Sequence, residues 1–375
     1  MATISYLTRI EFEAGLAAKL PDFCRELGMA RPLLVTDAGL TALGLTARIA
    51  GLFKSPLFDA APPVYDGTPA NPTEAAVLEA LARYKEEACD GVLAVGGGSS
   101  LDLAKAVRLL AVHEPPLAQY AAIEGGVARI KGPLPPMIAA PTTAGTGSEV
   151  GRGAVIVMAD GRKLGVLSPL LLPSIAVCDP ELTYGLPPLL TAATGMDALA
   201  HCLETFMAPA VNPPADAIAL DGLTRGYGAI RRAVADGRDP QARWEMMMAA
   251  MEGAMAFQKG LGAVHALSHP LGALKGVTLH HGTLNAVLLP AVLRFNRAAI
   301  GAKWDKLAVL LGGAPDERIE ALNRDLGLPP GLGAMGVGEA ALPAIAAAAM
   351  KDHCHATNPR RASEAEYLAL LREAY

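Results

Sequence analysis

The periodicity of the sequence changes once, near residue 183, and this change limits the folds that the chain can adopt. Before that point, short apolar runs alternate with helical patterns, which is typical of βαβ units and a mostly parallel sheet. After it, no convincing strand pattern remains. We therefore predict an α/β domain over residues 1–183 and an all-helical domain over residues 184–375.

The boundaries of the predicted elements follow from these patterns. Five apolar runs predict strands within 31–37, 90–100, 135–149, 153–168 and 174–182; the second run ends in a glycine turn, and the third runs into a Gly/Thr loop. The fourth run is predicted to be a hairpin, because Asp160-Gly161 is a strong turn dipeptide. Helical periodicity predicts helices at 101–112, 191–208, 215–235, 241–257, 260–273, 283–300, 304–312, 316–326 and 339–351.

Charge and cysteine content exclude several classes of protein. The 32 Lys and Arg residues against 37 Asp and Glu give a net charge of −5, with no basic run. This argues against an electrostatic nucleic-acid binder and a polybasic membrane-surface protein. Five scattered cysteines without a CxxC pair indicate free thiols in a reducing compartment. With no leader-like start and no apolar run of about 18 residues, we expect a cytoplasmic protein that does not bind membranes.

A glycine-rich loop connects a predicted strand to a predicted helix. It reads Gly96-Gly97-Gly98-Ser99-Ser100. Glycines let backbone N–H groups approach an anion, and a helix N-terminus adds unpaired donors and a positive dipole end. The alternative is a plain turn that requires positive φ. We favour phosphate binding, although neither a GxGxxG after the first strand nor a GxxxxGK[ST] is present.

A second polar loop, 142–149, follows another predicted strand. Ligands of open parallel sheets sit at the carboxyl ends of the strands, where both loops are expected. Asp37 ends the first strand, where it is placed to accept a ribose hydroxyl or to cap a helix. Asn71-Pro72 alone indicates only a turn.

Histidines of the second half recur at helical spacing. The relevant groups are Asp197-x3-His201, His265-x3-His269 and His280-His281. Residues i and i+4 share a helix face, and one carboxylate with three imidazoles suits a divalent transition metal. The alternative is a set of hydrogen-bonded core histidines. His353-Cys354-His355 is a candidate second cluster, but we interpret it as a polar segment near the C-terminus, because no partner lies nearby in sequence.

Taken together, the motifs resemble those of the iron-containing (group III) alcohol dehydrogenases over nearly the whole chain. The motifs that carry the resemblance are GGGSSLDLAK (96–105), PTTAGTGSE (141–149), GMDALAHCLE (195–204), GAVHALSHPLGA (262–273), HGTLNA (281–286) and ATNPR (356–360). The resemblance implies an α/β N-terminal dinucleotide-binding domain and an all-α C-terminal metal-binding domain, as in the dehydroquinate synthase-like fold. It also implies an active site in the cleft.

The resemblance assigns roles to individual residues. It places the metal on Asp197, His201, His265 and His281, and it makes His269 the non-ligand histidine near the substrate. It implies a cofactor-binding set of Asp37, Asn71, Gly97, Gly98, Ser99, Asp102, Thr142, Thr143, Thr146 and Lys163.

The sequence departs from the family pattern in three places. The segment 272–281 is about two residues longer than usual, and His280 precedes His281, so either histidine is a candidate fourth ligand. The HG step favours His281. Arg152 lies where a Thr-rich run is expected, and it either faces the substrate pocket or is a surface residue paired with Glu149.

The expected activity is that of a metal-dependent, NAD(P)-linked alcohol dehydrogenase or aldehyde reductase. It would move hydride between the nicotinamide and a small alcohol or aldehyde, with an anionic substrate as one option. We expect NAD, with NADP as the alternative, Fe²⁺, with Zn²⁺ as the alternative, and a homodimer. The competing hypotheses are a dehydroquinate synthase-like NAD-dependent lyase, a metal-free maleylacetate-type reductase and a non-catalytic binding module.

Overall fold

The computed structural model describes residues 8–54, 58 and 60–375. Internal contacts divide the chain into two units. The α/β unit contains the described residues of 6–143 and 147–184, and the helical unit contains 144–146 and 185–375. The predicted fold class is therefore confirmed. Residues 1–7, which form part of the start searched for a leader, lie outside the described residues.

Among its described residues, the α/β unit has eight strands. They are β1 (Arg9–Phe12), β2 (Pro32–Val35), β3 (Val64–Tyr65), β4 (Gly91–Gly96), β5 (Met137–Pro141), β6 (Gly153–Val157), β7 (Lys163–Leu167) and β8 (Ile175–Cys178). Six form a parallel sheet in the order β1-β8-β5-β4-β2-β3, and β6 pairs antiparallel with β7 as the predicted hairpin. The sequence did not predict β1 or β3, because β1 (Arg-Ile-Glu-Phe) mixes charged with apolar residues and forms no apolar run, and β3 has only two residues.

Helices cover both faces of this sheet. They are α1 (Leu20–Glu26), α2 (Ala38–Ala42), α3 (Leu45–Leu52), α4 (Glu74–Glu86) and α5 (Gly98–Leu110). Val92 and Ala94 of β4 belong to a core shared with α4 and α5, whereas Leu93 and Val95 belong to a core shared with α1 and α3. Because successive strand residues point to opposite faces, a strand buried on both faces is apolar throughout.

The helical unit contains no strand in its described part. Its helices are α6 (Pro188–Met207), α7 (Pro213–Ala235), α8 (Pro240–Ala256), α9 (Ala263–Leu271), α10 (His281–Ile300), α11 (Ala302–Leu311), α12 (Pro315–Asp325), α13 (Leu342–Ala349) and α14 (Glu364–Glu373). The sequence did not predict α14. The central helix is α6, which packs against α7, α8 and α10 and is buried almost throughout. None of the described helices combines the length and apolar character needed to cross a bilayer.

Candidate active site

Four residues that the sequence nominates as metal ligands converge in the helical unit. The Nε2 atoms of His201 and His265 each lie 3.8 Å from Asp197 Oδ1, and His281 Nε2 lies 3.7 Å from the same oxygen. Neighbouring ligands of a tetrahedral ion with bonds of about 2.1 Å are about 3.4 Å apart. Asp197 Oδ1 therefore lies at about ligand spacing from all three imidazoles, and the ligand atoms of Asp197, His201 and His265 all lie within 4.8 Å of one another.

Three different helices supply these side chains. Asp197 and His201 lie one turn apart on α6, His265 lies on α9, and His281 is the first residue of α10. The first three are buried, and the imidazole rings of His201 and His265 stack with centroids 4.7 Å apart. The His281 side chain is 29% exposed, so the cluster is open on that side.

A buried carboxylate outside the cluster fixes the orientation of His265. Its Nδ1 donates to Glu204 Oε2 at 2.5 Å, while Glu204 Oε1 accepts the backbone N–H of Val264 at 2.7 Å. This leaves the lone pair of His265 Nε2 directed at the cluster, as in carboxylate–histidine–metal arrangements. Glu204 lies one turn after His201 on α6, but the sequence analysis gave it no role.

The pKa values of the two buried histidines shift in opposite directions. Burial lowers the pKa of His201 to about 4, so its imidazole is neutral at pH 7. Burial also lowers the pKa of His265, but the hydrogen bond and charge of Glu204 raise it by more, and the net shift is upward. A metal ion, when bound, would take the Nε2 lone pair of His265, while Nδ1 would keep its proton for Glu204.

Asn285 is the second site residue that the sequence analysis missed. Its Nδ2 lies 2.7 Å from Asp197 Oδ1, 3.1 Å from His281 Nε2 and 3.3 Å from His265 Nε2, whereas its own buried Oδ1 has no hydrogen-bond partner. Several acceptor atoms therefore share one amide donor. A cation among these atoms would satisfy them together, and with His201 Nε2 added, the set of three nitrogens and one carboxylate oxygen fits Fe²⁺ or Zn²⁺.

The two adjacent histidines at the start of α10 occupy different positions. His280 is exposed, and its Nδ1 lies 3.5 Å from Thr283 Oγ1. His281 points its Nε2 at Asp197. The geometry thus supports His281 as the fourth ligand.

His269 lies beside the cluster on α9. Its ring stacks on that of His281 with centroids 5.7 Å apart, and its Nδ1 hydrogen-bonds Asp352 Oδ2 at 2.9 Å. Burial raises the pKa of Asp352, but the charge and hydrogen bond of His269 lower it by more, to about 2. Asp352 was not predicted, because 83 residues separate it from His269.

The interpretation of 353–355 as a polar segment without a partner is wrong. The ring of His353 stacks on His269 with centroids 5.7 Å apart, and Cys354 is 1% exposed. His355 Nδ1 lies 2.9 Å from the hydroxyl of Tyr367. His269 and Tyr367 come from other helices, so the spacing along the chain did not indicate these contacts.

The glycine-rich loop lies in the α/β unit, between β4 and α5. Gly98 is the first residue of α5, and Gly97 occupies the N-cap position. Because Gly97 has no side chain, it makes no side-chain capping hydrogen bond. Gly97 has φ −72°, a value that does not require glycine. The alternative prediction, a turn that needs glycine for positive φ, is therefore wrong for this residue. A Cβ at Gly97 would meet protein atoms no closer than 3.4 Å, at Thr143 Cγ2. The N-terminus of α5 lacks a side-chain cap, and its unpaired backbone donors support anion binding.

Three polar residues of the cofactor set lie around this loop. Asp37 is the N-cap of α2, with Oδ1 accepting from the backbone N–H of Leu40 at 3.0 Å. Asp37 therefore caps a helix, which was one of its two predicted roles. Its other carboxylate oxygen, Oδ2, lies close to the glycine-rich loop, 3.7 Å from a Cβ built on Gly96. Ser99 Oγ donates to the carbonyl of Ala70 at 2.6 Å, and the backbone N–H of Thr142 donates to the carbonyl of Gly96 at 3.0 Å.

The remaining members of the set differ in position. Lys163 Nζ donates to Asn71 Oδ1 at 2.9 Å, so the hairpin brings these two predicted residues together. Asp102 makes hydrogen bonds within the α/β unit: its carboxylate oxygens accept from Ser148 Oγ at 2.6 Å and from the Val155 N–H at 2.9 Å. Thr146 belongs to the short segment grouped with the helical unit.

Comparison with known proteins gives consistent matches. The family model "Iron-containing alcohol dehydrogenase" matches residues 8–180, and "Fe-containing alcohol dehydrogenase family, C-terminal" matches residues 191–375. The 4-hydroxybutyrate dehydrogenase of Cupriavidus necator is 56% identical, with 100% of both chains covered. A solved 1,3-propanediol oxidoreductase is 36% identical with a TM-score of 0.94, and both chains are covered completely. The sulfoacetaldehyde reductase of Bifidobacterium kashiwanohense, solved with NAD⁺, is 26% identical with a TM-score of 0.88, covering 100% of this chain and 98% of that one.

Proposed function

Because this chain belongs to the iron-containing alcohol dehydrogenase family, we propose that it oxidises 4-hydroxybutyrate to the corresponding aldehyde acid with NAD, and catalyses the reverse reduction. The chain is an oxidoreductase acting on CH–OH groups, an alcohol dehydrogenase or aldehyde reductase of that family. The observation that carries the choice of substrate is the 56% identity with a 4-hydroxybutyrate dehydrogenase over the whole chain. Family membership disfavours the lyase and the non-catalytic module, and the convergent ligand set disfavours a metal-free reductase.

In this proposal, Asp197, His201, His265 and His281 hold one divalent ion, Fe²⁺ with Zn²⁺ as the alternative. Such an ion, when bound, supplies a Lewis acid that favours loss of the alcohol proton. The contribution of the chain is a preformed donor set, whose spacing is supported by the 3.7–3.8 Å distances to Asp197 Oδ1. Glu204 holds His265 in the required tautomer.

Oxidation of a primary alcohol by NAD⁺ gives an aldehyde, NADH and one proton, and His269 is proposed to take that proton. Its Nδ1 hydrogen bond to Asp352, at 2.9 Å, keeps the ring proton on Nδ1. Nε2 is then free to accept. Asp352 keeps its charge at neutral pH and stabilises the imidazolium that forms.

NAD is proposed to bind the α/β unit, with its pyrophosphate at the N-terminus of α5 beside Gly97 and Gly98. NAD, when bound there, would supply the hydride acceptor of the reaction. The implied cofactor set also includes Asn71 and Lys163, which already contact one another. Asp37 is proposed to accept the adenosine ribose hydroxyls.

Asp37 predicts the cofactor preference. A 2′-phosphate would meet its negative charge, so we expect kcat/KM to favour NAD over NADP by at least about ten-fold, or about 1.4 kcal/mol. Asp37→Asn keeps an acceptor for the Leu40 N–H and removes the charge, so it should reduce this ratio without loss of stability. Steady-state kinetics with both cofactors measures the ratio. A wild-type preference for NADP would refute the role of Asp37.

The carboxylate of the substrate gives a second prediction. If a positively charged side chain binds this carboxylate, kcat/KM for 4-hydroxybutyrate should exceed that for 1,4-butanediol by about 10–150-fold. This ratio is equivalent to about 1.5–3 kcal/mol for a charged hydrogen bond. Arg152 is the residue we propose for this contact, because it is exposed and lies three residues after the end of the polar loop 142–149. Arg152→Ala should then equalise the two substrates, whereas a variant at another exposed arginine, Arg238→Ala, should not. Equal wild-type rates would favour a diol or general alcohol dehydrogenase instead.

We further propose that the enzyme is a homodimer and works in the cytoplasm. Light scattering on the purified protein measures the first, and fractionation of the source cells measures the second. A monomer in solution, or recovery outside the cytoplasm, would contradict the corresponding part.

A further inference from the structure

Four side chains next to the metal centre form a second cluster of potential ligands, which we call the HDHC cluster: His269, Asp352, His353 and Cys354. One ligand atom from each lies within 4.8 Å of those of the other three. Asp352 Oδ2 lies 2.9 Å from His269 Nδ1, Asp352 Oδ1 lies 3.6 Å from His353 Nδ1, and Cys354 Sγ lies 3.4 Å from His353 Nε2. None of these residues belongs to the four-ligand centre described above.

The local backbone holds the HDHC cluster together. Asp352 caps the 3₁₀ turn His353–Thr357, since its Oδ1 accepts the backbone N–H of Cys354 at 2.8 Å. The same turn packs against α9, which carries His269. Cys354 is the buried member of the cluster, whereas the side chain of His353 is 60% exposed. An ion can therefore enter from the His353 side and reach a buried thiol.

The donor chemistry differs from that of the first centre. Two imidazoles, one carboxylate and one thiol suit a borderline-soft ion such as Zn²⁺, whereas the first centre offers no sulfur. We propose that the HDHC cluster is a second transition-metal site, which binds Zn²⁺ through His269, Asp352, His353 and Cys354.

Only small movements are needed to accommodate an ion. With Zn–N and Zn–O bonds of about 2.0–2.2 Å, neighbouring ligand atoms are about 3.4 Å apart, so the 2.9 Å pair of His269 and Asp352 must separate by about 0.5 Å. The exposed ring of His353 can turn towards the ion. Zinc displaces the thiol proton of Cys354, so binding releases one proton.

The consequence for catalysis rests on the proposed function. Zinc on His269 Nδ1 replaces the hydrogen bond to Asp352 and moves the ring proton to Nε2. The Nε2 atom then has no lone pair for the alcohol proton. Occupation of the HDHC cluster is therefore expected to inhibit the enzyme without displacing the metal of the first centre.

Titration with Co²⁺ tests the site itself. Enzyme already carrying one equivalent of metal should take up a second, and a thiolate-to-cobalt charge-transfer band should grow with it. Cys354→Ala and His353→Ala should both lose the second equivalent and the band. His355→Ala is the matched control, because His355 contacts Tyr367 rather than the cluster and should bind as wild type does. His353 is exposed, so its variant is expected to fold even if loss of Cys354 disturbs the core.

The outcomes separate the site from the proposed function. Binding of only one equivalent, or a band that persists in Cys354→Ala, overturns the second site. A second equivalent of Zn²⁺ that inhibits wild type but not His353→Ala supports both the site and the proton role of His269. Binding without inhibition supports the site and contradicts that proton role. The Co²⁺ band does not depend on activity, so failure of the proposed dehydrogenase reaction leaves it unchanged.

Discussion

Replacing His265 with alanine is expected to remove bound metal and turnover together. The change deletes one of the three imidazole nitrogens within 3.8 Å of Asp197 Oδ1 and leaves Glu204 buried without its histidine partner. Loss of an outer partner alone costs about 10–100-fold in metal affinity or activity, so loss of a ligand should exceed the upper figure. Metal analysis and steady-state kinetics on the same preparation measure the two effects.

The adjacent histidines supply a matched pair of controls for this experiment. His281→Ala should behave like His265→Ala, because His281 Nε2 lies 3.7 Å from Asp197. His280→Ala should retain metal, because His280 is exposed and points to Thr283. Wild-type metal content and turnover in His265→Ala would refute the four-residue centre. The reverse behaviour of His280 and His281 would refute only the fourth ligand.

The second large effect is expected from Gly282→Ala. A Cβ at this position would lie 2.1 Å from the carbonyl oxygen of Ala193 on α6, so α10 has to move away from α6. His281 precedes Gly282, and this movement carries its Nε2 away from Asp197. Overpacking of this kind costs about 1–3 kcal/mol of stability. We expect metal affinity to fall by about 10–100-fold as well, as for the loss of an orienting partner.

Gly228→Ala is the matched control for this substitution. Gly228 lies on the exposed side of α7, and a Cβ there would meet nothing within 4 Å. Since alanine is the better helix former, this change should raise stability by about 0.5–1 kcal/mol and leave metal binding unchanged. Thermal denaturation and metal analysis distinguish the two variants. Full metal affinity in Gly282→Ala would show that the close approach of α10 to α6 does not position His281.

The sequence alone determined the features that depend on local spacing. Apolar runs broken by glycine predicted the central strands β4 and β5, because a strand buried on both faces must be apolar throughout. The four-residue spacing of Asp197 and His201 placed both on one face of α6, because a helical turn takes about 3.6 residues. The motifs shared with a known family supplied the roles of these residues.

The tertiary structure decided the contacts that no local pattern encodes. Glu204 and His265 lie 61 residues apart, and His269 and Asp352 lie 83 apart, yet both pairs form hydrogen bonds. The choice between His280 and His281 likewise depended on how α10 meets α6. Side-chain periodicity records which face of an element is buried, but which residues meet across that face depends on how the elements pack. That packing is set by many distributed contacts, so the surroundings of the metal centre emerged only with the fold.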